Sequence, residues 1–224
     1  MKKGQGRRCR FWLAVGLILT VRWATDAQPA PGKTKADDEC GHIPRITVQV
    51  YNYAEVSYQT LTQAEVEAVD IFHSAGVEIA WTNCKLPEDP QCAEYLDPIH
   101  LGVRLLPDIA PALSDSDRTM GLAVGNLASV SLRRVQEEAA AFEVSVHAVL
   151  APTLAHEIGH LLLVAQGHSP SGIMRAHWRR EDYEHAPCGA FSFTSKQARS
   201  LRAEVRKRGE DSAAAPVATT MGSH

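Results

Sequence analysis

His156-Glu157-Ile158-Gly159-His160 is the stretch on which the reading of this 224-residue chain turns. An α-helix makes one turn in about 3.6 residues and rises about 1.5 Å per residue, so His156 and His160 lie one turn apart on the same face, where both can reach one ion. Glu157 is rotated from them by one residue step, which places its carboxylate beside such an ion and not on it. Leu154, Ala155, Ile158, Leu161, Leu162, Leu163 and Val164 surround the three polar side chains. That composition predicts a helix buried on most sides, with the two imidazoles and the carboxylate lining a cleft.

The flanks extend the pattern. The helix is expected to end near Val164 or Ala165, because Gly167 permits a turn and Pro170 prevents an immediate return to helix. The reversed chain then delivers His168. A catalytic zinc takes three protein ligands and leaves its fourth position to water, so His168 completes the expected set. His177, close behind the next turn, and Glu181 or Glu184, as in thermolysin-like zincins, compete for the third position. His147 reads as an ordinary helix residue. Gly172-Ile173-Met174 stands in a turn-prone context of Ser169, Pro170 and Ser171, and a tight turn there sets Met174 under the ion as an apolar floor. Zinc lowers the pKa of water from about 15.7 toward about 7, and a neighbouring carboxylate can take its proton during attack on a carbonyl. Glu157 is thus the expected general base of a zinc-dependent peptide hydrolysis.

With these residues the chain resembles the metzincin superfamily of metalloproteases, which join an elongated zinc helix to a later methionine turn; Ser169 after the last histidine is similar to the matrixin branch. The resemblance implies an extracellular or periplasmic endopeptidase with His156, His160 and His168 as zinc ligands, Glu157 as general base and Met174 in the turn. It also implies a metzincin-like catalytic domain of α+β class: a mixed twisted sheet in an α/β-type upper subdomain, the zinc helix, the methionine turn and a C-terminal helix. This chain departs from the family pattern. Leu163 stands at the usual glycine position, Gln166 at the usual histidine position, and His168 comes two residues late. A turn two residues longer, ending at Gly167, is expected to absorb the difference.

Lys2, Lys3, Arg7, Arg8 and Arg10 precede an apolar run from Phe11 to Val21, and Thr25 and Ala27 supply small residues for cleavage after Ala27. This is the layout of a secretory signal peptide over 1–27. An uncleaved anchor is disfavoured, since a span needs about 20 apolar residues. Removing the six basic and one acidic residues of 1–27 leaves 17 basic and 25 acidic residues, a formal charge of −8. Such an acidic domain has little electrostatic case for nucleic-acid binding. The expected partner is a peptide or protein substrate, with no stable membrane span, and the protein is expected to be a monomer. Cleavage also removes Cys9 and leaves Cys40, Cys84, Cys92 and Cys188, an even number that allows two disulfides in three pairings. Cys84 with Cys92 closes a short loop; Cys40 with Cys188 ties the domain ends together. Glu39-Cys40-Gly41 is also weakly similar to the inhibitory cysteine of some matrixin proforms.

Residues 28–41 are rich in Pro, Gly, Lys and Asp and read as a flexible lead-in; 209–224 lack apolar periodicity and read as a disordered tail. Between them, 42–208 suffices for one catalytic domain. Ile46 to Tyr53 alternates as a strand, Thr62-Gln63-Ala64-Glu65 reads as a capping box opening a helix that Gly76 ends, and Val77 to Thr82 and His100 to Pro107 follow as strands. Met120 to Val124 and Ala128 to Val135 supply short strands, and Gly121 to Ala128 is the preferred edge for binding an extended peptide. Glu137 to Val149 reads as an Ala-rich helix. Pro152 predicts a break near Leu150 and Ala151, with the zinc helix starting there. Trp178 is expected under the methionine turn, and Tyr183 either reaches the cleft as an oxyanion donor or packs as an ordinary tyrosine. Thr194 with Gln197 caps a last helix whose inward stripe is Ala198, Leu201 and Val205. The rival reading is a non-catalytic zinc-binding exported domain, which gives no reason for a carboxylate at 157.

Overall fold

The computed structural model describes residues 42–85, 92, 97–109, 120–163 and 167–214, and a compact unit begins at Ile43. The expected signal peptide and lead-in, Cys40, and residues 215–224 lie outside the described residues.

Five strands form one sheet: β1 (Arg45–Asn52), β2 (Glu78–Cys84), β3 (His100–Leu106), β4 (Gly121–Val124) and β5 (Leu127–Ser131), in the order β2-β1-β3-β5-β4. The first four in that order are parallel and β4 is an antiparallel edge. Parallel neighbours need a crossover, and α1 (Tyr58–Ser74) supplies it between β1 and β2. Alternation decides which face is covered. Val48 pairs with Leu101, Val50 with Val103, Leu105 with Val130, and all six are buried in one core with α1 and α3 (Val146–Leu162). The result is an α+β architecture in which β4, beside α3, ends the sheet.

Two helix starts differ from expectation. Helix α1 begins four residues before Thr62 because the Ser57 hydroxyl accepts from the Thr60 N–H at 3.2 Å and caps it. Thr62 is then interior, and Glu65 accepts a hydrogen bond from Asn83 Nδ2 at 3.3 Å in place of closing a capping box. The expected strand to Val135 stops at Ser131, whose hydroxyl caps α2 (Leu132–Phe142). The expected helix over 137–149 is divided by Glu143, which adopts a left-handed φ of 57° and ends α2.

The break expected at Leu150 and Ala151 is absent, and α3 runs unbroken through Pro152. An interior proline costs about 3 kcal/mol. Leu150, Leu154, Ile158 and Leu161 are essentially fully buried along this helix. Each contributes about 1.5–3 kcal/mol, so packing outweighs the proline. The Thr153 hydroxyl also donates to the Val149 carbonyl at 2.8 Å, next to the site where the ring removes a donor. Helix α3 ends at Leu162, slightly before the expected Val164 or Ala165.

Beyond the short helix α4 (Arg180–Glu184), helix α5 (Ser195–Ala214) opens with the expected box: Thr194 N–H donates to Gln197 Oε1 at 2.9 Å and Gln197 N–H to Thr194 Oγ1 at 3.3 Å. It continues past 208, the expected domain end, so residues 209–214 are helical and not a tail. Arg208 anchors this stretch: it is buried and donates to the Leu161 carbonyl at 3.1 Å and to Asn126 Oδ1 at 2.9 Å. Lys207 pairs with Asp211 one turn on. Cys84 and Cys92 are disulfide-bonded. Among the described residues no helix is long and apolar enough to cross a membrane.

Candidate metal centre

Helix α3 carries His156 and His160 toward one point, and the chain after it returns His168 to the same point. His156 Nε2 lies 3.0 Å from His160 Nε2, and the His168 ring centroid lies 5.3 Å and 5.0 Å from those of His156 and His160. One ring nitrogen from each of the three falls within 4.8 Å of the others. His177, Glu181 and Glu184, the competing third ligands, are exposed and outside this cluster. His147 sits at the start of α3 and pairs with Glu67 at 2.9 Å.

The turn at Gly172–Met174 organises the histidines. The Ile173 carbonyl can only accept, so its 2.8 Å contact with His156 Nδ1 fixes the hydrogen on Nδ1 and leaves the Nε2 lone pair facing the other imidazoles. Trp178 Nε1 donates to the same carbonyl at 3.2 Å, and its ring packs edge-on against His156 with centroids 5.5 Å apart. Met174 is wholly buried under the metal helix. A Cβ at Gly159 would lie 2.6 Å from Met174 Sδ, so glycine in mid-helix is what lets the sulfur approach. Gly172 has φ 73°, and a Cβ there would lie 2.5 Å from the Ser192 carbonyl oxygen. Ser169, next to His168, is held from three directions. Its N–H donates to the Met174 carbonyl at 2.7 Å, its hydroxyl donates to the Ser171 carbonyl at 2.8 Å, and Gln197 Nε2 donates to that hydroxyl at 3.2 Å. Gln197 therefore caps α5 with one end and braces the loop with the other.

Burial sets the protonation states. It lowers the His156 pKa to about 4, against an opposing effect of the Ile173 carbonyl, and it lowers that of His160 as well. Both imidazoles are neutral donors at neutral pH, as a metal requires. Burial raises Glu157 to about 8. Glu157 is 5% exposed, and its side chain rests against the start of β4.

Tyr183 belongs to the core and not to the cleft. It is buried among Phe142, Trp178 and Phe191, with ring centroids 5.5, 6.3 and 5.1 Å away, and burial raises its hydroxyl pKa. Sequence reasoning placed Gly172 in the turn and Gln197 in the cap but missed the close approaches at Gly159 and Gly172 and the brace from Gln197 to Ser169. A glycine inside a helix costs about 1 kcal/mol, and that cost at Gly159 was the available signal.

The chain matches no family model and no curated protein. Among solved structures it is similar to the crystal structure of archaemetzincin from Methanopyrus kandleri, with 16% identity, coverage of 75% of this chain and 99% of that chain, and a TM-score of 0.47. The metal centre rests on the side-chain geometry above and not on that similarity. The mixed sheet, the helix bearing two of the clustered histidines, the third histidine from the following loop and the methionine packed on that helix are the arrangement that the metzincin resemblance implies.

Proposed function

We propose that this protein is a zinc-dependent endopeptidase. The observation that carries the reading is the convergence of three imidazoles on one point, two of them on a buried helix that also carries Glu157, next in sequence to His156. The donor set suits zinc: three imidazole nitrogens, one of them oriented by a backbone carbonyl. His156, His160 and His168 would hold the ion. Zinc, when bound, supplies Lewis acidity that makes water a usable acid near neutral pH.

The remaining work falls to the chain. With a dication held by the histidines to favour its ionised form against the burial that raises its pKa, Glu157 would accept the proton of the attacking water and pass it to the departing amine. Strand β4 ends the sheet, and its outer edge is positioned to pair with an extended peptide backbone, leaving selectivity to side-chain pockets. The Ile173 carbonyl keeps the His156 imidazole from turning. A non-catalytic zinc domain would share the ligands but would not depend on Glu157. The test is a pair of preparations, wild type and Glu157→Gln, assayed for zinc content and for cleavage of a peptide library. Equal zinc with cleavage lost in the variant supports the proposal; equal zinc and equal cleavage, or none in either, overturns it.

The site of action is inferred from the sequence as outside the cytoplasm, secreted or periplasmic, after removal of residues 1–27. The Cys84–Cys92 disulfide supports an oxidising compartment. The N-terminus of the exported protein should read from Gln28; a chain retained with Met1 intact contradicts this.

A further inference from the structure

Gly121 opens the edge strand β4, and its φ is not among the left-handed values found at Gly76, Gly125, Gly172 and Gly189. Any residue could adopt this backbone, so the reason for glycine lies in the space above it. A Cβ built there would lie 2.4 Å from Glu157 Cδ and 2.5 Å from both Cγ and Oε1, closer than non-bonded atoms approach. The Glu157 side chain thus occupies the volume that any other residue at 121 would fill. The adjoining residue follows the same path: Met120 Sδ lies 3.9 Å from the hydroxyl of Thr153, one helical turn before Glu157. No hydrogen bond among the described residues fixes the Glu157 carboxylate, so packing against β4 determines where it rests.

We infer that Gly121 is a positioning residue for Glu157, a bare stretch of edge strand that sets how far the carboxylate stands from a peptide bound on β4. This rests on the hydrolytic reading of the site. Helix α3 is fixed by its burial, so the only freedom left to Glu157 is rotation of its own side chain. A methyl group at 121 forces that rotation, away from the strand. The three atoms nearest a Cβ at 121 all belong to Glu157 and none to a histidine, so metal binding is expected to be unaffected. Displacement of a reacting group by about 1 Å costs roughly 100-fold in rate.

The experiment uses the full chain loaded with zinc, comparing wild type with Gly121→Ala in steady-state hydrolysis of one peptide. The expected result is kcat lower by about 100-fold, with KM and the zinc content unchanged. A second readout is independent of activity: the Tm of metal-free wild type, Gly121→Ala, Glu157→Ala and the double variant. Glu157→Ala removes the atoms that the new methyl would strike, so the Tm loss of Gly121→Ala should vanish in the double variant. Wild-type kcat in Gly121→Ala, or Tm losses that simply add, overturns the inference. A zinc-loaded wild type that cleaves nothing overturns the hydrolytic reading instead, and the Tm cycle then decides the contact alone. A Gly121→Ala chain that fails to fold while the double variant folds supports it.

Discussion

Two buried glutamates invite comparison. Glu65, on α1, is 7% exposed, and Glu157, on α3, is 5% exposed; burial raises the pKa of both. Glu65 faces the β2 edge, where Asn83 Nδ2 donates to one oxygen while Trp81 Nε1 donates to its backbone carbonyl. Its other oxygen is buried with no hydrogen-bond partner among the described residues. Glu157 follows His156 in the chain and rests against the bare backbone of β4 at Gly121. Burial of an acid therefore does not mark chemistry. What surrounds it does: an amide of β2 bonds the Glu65 carboxylate, whereas that of Glu157 rests on the edge strand, on the helix that carries two of the clustered histidines.

The comparison breaks if the two acids respond alike to neutralisation. Glu157→Gln should lower kcat by about 10²–10⁴-fold with one equivalent of zinc retained, measured by peptide turnover and metal analysis. The ligands sharpen it next. His156 is buried and held by the Ile173 carbonyl, whereas His168 is exposed on a loop braced through Ser169. A structural zinc site releases about 10–16 kcal/mol over four ligands, or roughly 3 kcal/mol each, so His168→Ala should weaken zinc by about 100-fold in a chelator competition. His156→Ala, which also empties a buried position, should lose more. An equal loss in both would remove the distinction between a fixed and an adaptable ligand.

Below the ions, Met174→Ala should cost about 2–5 kcal/mol in denaturant unfolding, while Met174→Leu should cost less than about 1.5 kcal/mol. The smallest effect belongs to the structural acid. Burial raises the Glu65 pKa in the fold, so the folded chain holds that proton more tightly than the unfolded chain and stability falls as pH rises through the interval. Glu65→Gln should remove this slope and raise stability at pH 8 by about 1 kcal/mol, with turnover unchanged.

Much of this was legible in the residues, for identifiable reasons. The spacing of His156, Glu157 and His160 depends only on helical geometry, and the Thr194–Gln197 cap depends on partners three residues apart, so local reasoning reached both. His168 was reachable because zinc chemistry demands a third donor, although nothing local showed the path of the chain. Local reasoning failed where tertiary packing decides. Thr62-x-x-Glu65 has the form of a capping box, yet Ser57 caps α1 and Glu65 is drawn to Asn83. Pro152 reads as a break until the burial of α3 is counted. Gly121, Gly159 and Gly172 all answer to atoms distant in sequence, and no periodicity records a close approach.

The central claim is that one ion is held by His156, His160 and His168. X-ray absorption at the zinc edge of the full chain, loaded with one equivalent, tests it most directly, with His168→Ala measured beside it. Three imidazole nitrogens at about 2.0–2.1 Å and one oxygen are expected, falling to two imidazoles in the variant. A first shell with fewer than three imidazoles, or one unchanged by His168→Ala, would contradict the account.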